Sequence, residues 1–367
     1  MKKRGIVNVI ASVVSILIGL LVGYVLLIIF NPSASSNGLV NILTTGFKST
    51  EKFAKVLYTA APLLMTGLSV GFAFKTGLFN IGASGQYTMG AFFALVAAIQ
   101  FRMPWYVCIF AAMMGGAIWG AIPGLFKAFF NVNEVITSIM FNWIALFAVN
   151  LSFNNMPLML ASAWGAPYKN KTAALAIANK DAILPKLGLD ALMGSNYMNI
   201  GIFLAVLIAI IVWIVLSRTT FGYELKACGY NRNASQYAGI NPKRSIVLSM
   251  VISGALAGAG GALYYLSGTA QFVIEKVLLT MGFNGIPVAL LASSNPAGTI
   301  FSALFISYIQ VGGDALQPEF AKEIIDIIIA AIIYLSAFSL LMREVINKFM
   351  VRKRQKLEEA ENGGDAQ

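Results

Sequence analysis

Residues 5–30 read GIVNVIASVVSILIGLLVGYVLLIIF and contain no charged side chain. An α-helix needs about 20 apolar residues to cross the roughly 30 Å hydrocarbon core of a bilayer. A secretory signal has a shorter apolar core, of about 7–15 residues, and a cleavage site made of small residues. Because residues 5–30 form a longer apolar stretch, we predict an uncleaved first membrane span, which Asn31-Pro32-Ser33 ends.

The apolar character continues through the whole chain of 367 residues. Hydrophobic residues make up 58% of it, charged residues make up 11%, and the mean hydropathy is +0.77. A soluble domain carries about 25% charged residues, so this composition excludes an ordinary soluble enzyme. The absence of histidine, with only Cys108 and Cys228 as cysteines, excludes histidine-based acid–base catalysis, Cys/His zinc sites and a disulfide scaffold. We therefore expect no catalytic residue, no metal site and no cofactor.

Apolar segments recur along the chain and predict an all-α, polytopic membrane protein with ten transmembrane helices. The third, eighth and ninth segments are short and are flanked by Gly, Asn and Pro, which is typical of broken helices inside a protein-lined cavity. We therefore also expect broken helices and an inverted repeat. After residues 5–30, the predicted spans lie at about 56–74, 87–99, 105–126, 135–152, 199–216, 245–266, 278–292, 297–311 and 324–341.

The distribution of positive charge predicts how these spans are oriented. Cytoplasmic loops of membrane proteins collect Lys and Arg, which accounts for the net charge of +11 without a nucleic-acid partner. With the N-terminus inside and ten spans, 16 of the 26 Lys and Arg residues fall on the cytoplasmic side. We expect a multi-pass protein of the cell membrane with both termini cytoplasmic. A single transmembrane domain should cover 1–342, with an external loop at 153–198, a cytoplasmic loop at 218–244, and a basic then acidic cytoplasmic tail at 343–367.

A polar segment, Phe79-Asn-Ile-Gly-Ala-Ser-Gly-Gln86, lies between the second and third spans. Its small residues hold a regular helix poorly, and an irregular backbone there would leave N–H and C=O groups free to bind a polar ligand. A tight Gly-rich turn between two helices is the alternative. A similar sequence, Phe283-Asn-Gly-Ile-Pro287, begins the eighth span, as two halves around a central pathway would show.

Polar residues also occur at and within the fifth span. Asn131 and Glu134 have the spacing of a capping box, so we prefer a capping role for Glu134 over that of a functional intramembrane carboxylate. Asn142 lies inside the span, where it either bonds a neighbouring helix or lines a pathway. The residues predicted to line the pathway are Asn80, Gly82, Ser84, Gln86, Asn142 and Asn284.

Small residues repeat at intervals of four within two spans, which lets helices approach closely and predicts packing without a substrate role. These residues are Gly116, Gly120 and Gly124, Gly254 and Gly258, and Ala257 and Gly261.

The loop at 218–244 contains a candidate docking helix. Asn231 or Asn233 can cap a short helix, which Gly239 ends. A two-turn helix outside the membrane has no core of its own, so it should dock on a cytoplasmic partner or rest on its own membrane domain. Its small apolar face, with spacing i, i+3 and i+4, consists of Ala234, Tyr237 and Ala238.

The sequence GYNRNASQYAGI, residues 229–240, resembles the coupling-helix region of ABC importer permeases of the branched-chain amino acid, ribose and nucleoside group. The resemblance covers most of the chain from Pro62 to Met342, and the subgroup that it resembles most is that of the nucleoside (basic membrane lipoprotein-dependent) permeases. Those permeases typically carry Glu where this chain has Ser84, and Ala where it has Pro287. The other motifs that carry the resemblance are residues 79–86, 133–137, 282–291 and 295–298.

The resemblance implies a permease subunit that translocates nucleosides within membrane lipid. A second homologous permease would share the pathway, a separate cytoplasmic ABC ATPase would supply the energy, and an extracellular substrate-binding lipoprotein would deliver the substrate. The chain has no Gly-x-x-x-x-Gly-Lys-Ser/Thr loop, which agrees with a permease that is not itself an enzyme. The residues that the resemblance assigns to ATPase coupling are Gly229, Asn231, Ala234, Tyr237, Ala238 and Gly239.

Other functions fit the residues less well. A proton- or ion-coupled secondary transporter needs mid-span carboxylates as relays, and the predicted spans have none there. A membrane-embedded enzyme would need paired carboxylates or a metal cluster, which the spans also lack. Among importer substrates, a simple sugar such as ribose or a branched-chain amino acid is the alternative to a nucleoside. Aromatic residues near the polar segments, such as Phe79 and Phe141, suit the stacking of a nucleobase.

The orientation can be tested with reporter fusions. We expect a reporter fused after Gln367 and one inserted within residues 165–185 to lie on opposite sides of the membrane, because the positive charges place the tail inside and the long loop outside. Alkaline phosphatase and green fluorescent protein activities report the two sides. Finding both positions on the same side would contradict the ten-span orientation.

Overall fold

The structure, a computed structural model, describes residues 2–336 together with residues 338, 344 and 348. The predicted tail at 343–367 lies outside the described residues, apart from 344 and 348. Across the described part of the chain the protein is helical, and its only bridge pairings are two isolated ones in or beside the long loop. The helices α1–α15 are, in order, Lys2–Phe30, Ser35–Lys48, Thr50–Lys75, Ala83–Leu95, Trp105–Phe130, Glu134–Asn154, Leu175–Ala178, Leu189–Met193, Gly201–Arg218, Thr220–Tyr230, Arg232–Tyr237, Pro242–Tyr265, Thr280–Leu291, Pro296–Asp314 and Lys322–Ser336.

Each of the ten predicted spans coincides with one helix: α1, α3, α4, α5, α6, α9, α12, α13, α14 or α15. Within the described residues, six of them, α1, α3, α5, α6, α9 and α12, are long and apolar enough to cross a membrane. The helices α4 and α13 are shorter, with 13 and 12 residues, and a π-helical stretch at Val96–Gln100 extends α4. The predicted fold class, an all-α polytopic membrane protein, is confirmed.

The chain forms two compact units, residues 1–43 with 313–367, and residues 44–312. In the first unit α1 packs along α15. In the second unit α12 is the central helix, because it packs against α3, α4 and α5. All the predicted site residues belong to this second unit.

Close backbone contacts bring α12 against its neighbours. A Cβ atom at Gly116 of α5 would lie 2.2 Å from the carbonyl oxygen of Gly254, and one at Gly258 would lie 2.3 Å from the carbonyl oxygen of Ala112. A Cβ at Gly261 would lie 2.6 Å from the carbonyl oxygen of Tyr87 in α4. The packing role predicted for the small-residue faces is therefore confirmed.

The long loop at 153–198 contains short helices and lies against the end of α4. Asn179 Nδ2 donates hydrogen bonds to the carbonyl oxygens of Ala98, at 2.9 Å, and Met103, at 3.0 Å. The Thr172 N–H donates to the carbonyl oxygen of Phe272 at 3.0 Å, which joins the loop to the segment after α12. The loop is therefore fixed to the helical bundle by hydrogen bonds.

The predicted capping box at the start of α6 is wrong in its first residue. Asn133 is the cap, since its Oδ1 accepts the Val135 N–H at 2.8 Å. Asn131 instead ends α5 with a φ of 53°, a left-handed conformation that Asn tolerates better than most residues. Glu134 lies in the first turn, as predicted, and pairs with Lys127 Nζ at 2.9 Å, which joins the end of α5 to the start of α6.

The predicted helix break at 283–287 is also wrong, because these residues lie inside α13. Gly285 serves close packing: a Cβ there would lie 2.6 Å from the carbonyl carbon of Thr66 in α3. A glycine in a span therefore does not distinguish a helix break from a helix contact. The interruption comes later, between α13 and α14, where Ser293 and Ser294 have φ values of 50° and 53°.

Candidate functional site: the polar segment at the start of α4

The segment between α3 and α4 is irregular backbone buried inside the bundle. Residues 78–80 have no regular structure, residues 81–82 form a turn, and α4 begins at Ala83. The second half of the predicted polar segment, from Ala83 to Gln86, is therefore helical, which corrects the prediction of an irregular backbone throughout. The residue that precedes α4 is Gly82, which has no side chain with which to cap the helix. Because the segment is buried, its polar groups need partners from the protein.

Asn80 and Gln86 form a reciprocal pair of amide hydrogen bonds. Asn80 Nδ2 donates to Gln86 Oε1 at 2.7 Å, and Gln86 Nε2 donates to Asn80 Oδ1 at 3.1 Å. Asn80 Nδ2 also lies 2.7 Å from Ser253 Oγ of α12 and 3.2 Å from Ser69 Oγ of α3. The pair is wholly buried and links α3, α4 and α12 through side chains.

Asn142 of α6 caps α4 from a neighbouring helix. Its Oδ1 accepts the Gly85 N–H at 2.8 Å, and its Nδ2 donates to the carbonyl oxygen of Ile81 at 3.1 Å. The first N–H groups of a helix lack partners within the helix, and a side chain at the preceding residue usually supplies one. Since Gly82 cannot do so, Asn142 takes that role across the helix interface. Of the two roles open to Asn142, the structure shows the bond to a neighbour.

The other residues predicted to line the pathway differ in how they contact this cluster. Ser84 Oγ donates to the carbonyl oxygen of Leu279 at 2.8 Å, which joins α4 to the start of α13. A Cβ at Gly82 would lie 3.1–3.2 Å from polar atoms of Ser138, Asn80 and Gln86, so Gly82 faces the cluster. Asn284 is half-buried, and its side chain bonds no described residue.

Three serines of this site, Ser69, Ser253 and Ser138, were not among the residues predicted from the sequence. Ser69 and Ser253 hydrogen-bond each other, with 3.0 Å between their Oγ atoms. The Ser138 hydroxyl is fully buried and has no hydrogen-bond partner among the described residues. Small polar residues inside a span were the available signal, since they bond across helices in membranes.

The predicted docking helix is present as α11. Asn231 Oδ1 accepts the Ala234 N–H at 3.0 Å, so Asn231 and not Asn233 is the cap. Gly239 follows with a φ of 83° and ends the helix, as predicted. Only Ser235 of this helix is buried, and its Oγ lies 3.2 Å from Cys228 Sγ.

The apolar face of α11 is open. Ala234 and Ala238 are exposed, and Tyr237 is 95% exposed. No described residue covers this face. The helix itself does rest on its own membrane domain, through the buried Ser235 and Cys228 of α10, so that alternative holds for the Ser235 side and not for the apolar face. Gly229, at the end of α10, packs against the turn that follows α3.

A multi-pass helical protein with a hydrogen-bonded polar segment inside its bundle and a short helix with an open apolar face has the architecture of a membrane transport subunit. Residues 52–337 match the model of the branched-chain amino acid transport system permease component family, and the chain belongs to that family.

Two curated relatives match nearly the whole chain. The nucleoside ABC transporter permease protein NupB of Lactococcus lactis subsp. cremoris is 34% identical, over 93% of this chain and 94% of its own. The guanosine ABC transporter permease protein NupP of Bacillus subtilis is 34% identical, over 93% and 96%. The glucose ABC transporter permease protein TsgB13 of Haloferax volcanii is 28% identical, over 88% and 85%. No solved structure matches the chain.

The capping role of Asn142 predicts a stability effect. Asn142→Leu keeps nearly the same size but leaves the Gly85 N–H and the Ile81 carbonyl unbonded, at a cost of about 1–3 kcal/mol for each buried group. We expect a lower melting temperature of the purified protein in nanodiscs. The matched control is Asn284→Leu, which loses no hydrogen bond to a described residue and should melt as the unaltered protein does. Equal melting temperatures for Asn142→Leu and the unaltered protein would contradict the capping role.

Proposed function

We propose that this chain is the permease subunit of an ABC importer that moves nucleosides across the cell membrane. The observation that carries the proposal is the match over 93% of the chain to two permeases whose names specify nucleosides and guanosine, at 34% identity against 28% for the glucose permease. The residues agree with an import subunit, because a buried cluster of neutral amides and hydroxyls can exchange hydrogen bonds with an uncharged polar solute.

The energy would come from a separate ABC ATPase that docks on α11. The support is the open apolar face of Ala234, Tyr237 and Ala238, which no described residue covers. The loop at 218–244 would then be cytoplasmic, and with ten spans both termini would be as well, which agrees with the distribution of Lys and Arg. The loop at 153–198 then faces outside, where a substrate-binding lipoprotein would deliver the substrate.

A second homologous permease would complete the pathway. The long helices of this chain leave large apolar side chains exposed, which suits contact with lipid and with a neighbouring subunit. Exposed examples on α6 are Ile136, Met140, Trp143, Phe147 and Leu151. In this proposal, the polar cluster reaches the substrate only in the assembled importer.

The pathway would pass the cluster around α4. A nucleobase has amide-like donors and acceptors on its edge, and the ribose has hydroxyls, so both can replace the mutual bonds of Asn80 and Gln86 at little net cost. Asn284 adds a half-buried amide without a partner among the described residues. Gly82 lets the solute approach the backbone, and Ser84, Gln86 and Asn142 hold the segment in place. Weak binding follows, because each bond is gained only by breaking another.

The substrate class can be tested by uptake into proteoliposomes that contain the complete importer. We expect ATP-dependent uptake of labelled guanosine, competed by other nucleosides and not by glucose, ribose or leucine. An importer that lacks this permease is the control. Accumulation of glucose or leucine, with no uptake of any nucleoside, would overturn the substrate assignment while leaving the permease family unchanged.

The docking role of α11 predicts the effect of a charge on its apolar face. Ala234→Glu places a carboxylate in the interface with the ATPase, and we expect the ATPase to be lost from the purified complex and uptake to stop. The control is Gln236→Glu, which adds the same charge at an exposed polar position of the same helix. Co-purification of the two subunits and uptake measure the effect. Normal assembly and transport by Ala234→Glu would rule out docking through this face.

A further inference from the structure

Two glycines bring the backbone next to the docking helix into direct contact with the backbone next to the polar segment. A Cβ at Gly229 would lie 2.7 Å from the carbonyl carbon of Thr76 and 2.8 Å from the nitrogen of Gly77. A Cβ at Gly77 would lie 2.6 Å from the Cα of Gly229, and Gly77 has a φ of 75°. No side chain separates the two backbones at this point, which we name the glycine contact.

The glycine contact lies between two functional elements. Gly229 is the last residue but one of α10, and Asn231, the cap of α11, comes two residues later. Gly77 comes three residues before Asn80, which belongs to the buried amide pair. The contact is therefore a short physical route from the docking helix to the proposed pathway.

The turn on the other side of the contact is attached to the central helix. The Thr76 hydroxyl bonds Ser249 Oγ of α12 and donates to the carbonyl oxygen of Ala73 at 2.8 Å. A displacement of this turn would therefore also displace α12 and the segment that leads to Asn80. Packed protein interiors transmit such displacements because they are hard to compress.

A cavity beside the glycine contact provides space for movement. Its volume is about 210 Å³, and Gly77, Gly229, Cys228 and Leu78 are among the residues that line it. The turn after α3 lies next to this open volume, so it has room to move into a second position together with Gly229. Elements that switch between two arrangements need such room.

We propose that Gly229 and Gly77 are positioning residues that transmit the movement of α11 to the Asn80 segment during each transport cycle. This rests on the proposed docking of an ATPase at α11 and goes further, because it names the point inside the permease where the movement reaches the pathway. Neither glycine touches the substrate or the ATPase in this scheme. Their absence of side chains is what allows the two backbones to meet.

The test separates transport from ATP hydrolysis in the assembled importer. Gly229→Ala inserts a methyl group into the contact, and we expect assembly and basal ATP hydrolysis to persist while uptake per ATP falls about tenfold, within the usual range of coupling between sites. The control is Gly71→Ala in α3, which adds the same methyl group, but there the nearest atom to the added Cβ would be Ser294 Cα at 3.6 Å, an ordinary van der Waals contact. It should transport with unaltered coupling.

A result that contradicts the proposal is equally well defined. If Gly229→Ala assembles and couples uptake to ATP as the unaltered importer does, the glycine contact transmits nothing. That result, together with a defective Ala234→Glu importer, would contradict the glycine contact alone. Normal assembly and transport by Ala234→Glu would contradict the docking of the ATPase at α11. The two failures are therefore distinguishable.

A second measurement avoids variants that fold poorly. Cys228 lines the cavity, so its alkylation by N-ethylmaleimide in the already assembled importer should fill the space and stop uptake while ATP hydrolysis continues. The matched control is Cys228→Ser, which reports any effect of the reagent on Cys108 or on other subunits. Intact mass shows the extent of alkylation. Full uptake by the alkylated complex would overturn the role of the cavity, and an unreactive Cys228 would itself contradict an open cavity at this position.

Discussion

The hydrogen bonds that three side-chain amides make to the start of α4 are the constraint on which the rest of the structure depends. In the interior of a membrane protein a backbone N–H or C=O without a partner costs several kcal/mol, so an irregular segment persists only where the protein supplies partners. Asn142 supplies them for the Gly85 N–H and the Ile81 carbonyl, while Asn80 and Gln86 satisfy each other. The Asn142 bonds join α6 to the start of α4, and the Asn80–Gln86 pair joins α4 to α3 and α12.

The same cluster has the chemical character that a transport pathway requires. Neutral amides and hydroxyls carry no charge, so exchanging one partner for another costs far less than breaking an ion pair. The close glycine contacts between α12 and α5, by contrast, present no polar side chain and hold the two helices together. The helices around the cluster are closely packed, while the hydrogen bonds within it can exchange partners. This combination is consistent with a permease that binds its substrate weakly as it passes.

Sequence reasoning predicted the parts that depend on one segment at a time. The apolar lengths located the ten helices predicted as spans, and an Asn cap at 231 or 233 followed by Gly239 located α11. Hydrogen bonds between residues far apart in the sequence were not predictable. Asn142 caps α4 only because Gly82, 60 residues earlier, has no side chain that could do so. Glycine was ambiguous for the same reason: Gly285 makes a helix contact, whereas the Gly82 segment makes a true interruption. The residue that caps α6 differed from the predicted one by two positions, because several Asn residues adjoin that helix start.

Amide hydrogen exchange of the importer in nanodiscs tests the capping of α4 most directly. If Asn142 and the Asn80–Gln86 pair satisfy the segment, peptides that cover residues 80–87 should exchange as slowly as those within α5, and Asn142→Leu should speed exchange there and leave α5 unchanged. Fast exchange of residues 80–87 in the unaltered protein, at the rate of the exposed loop around Gly239, would contradict a hydrogen-bonded polar segment at the centre of this permease.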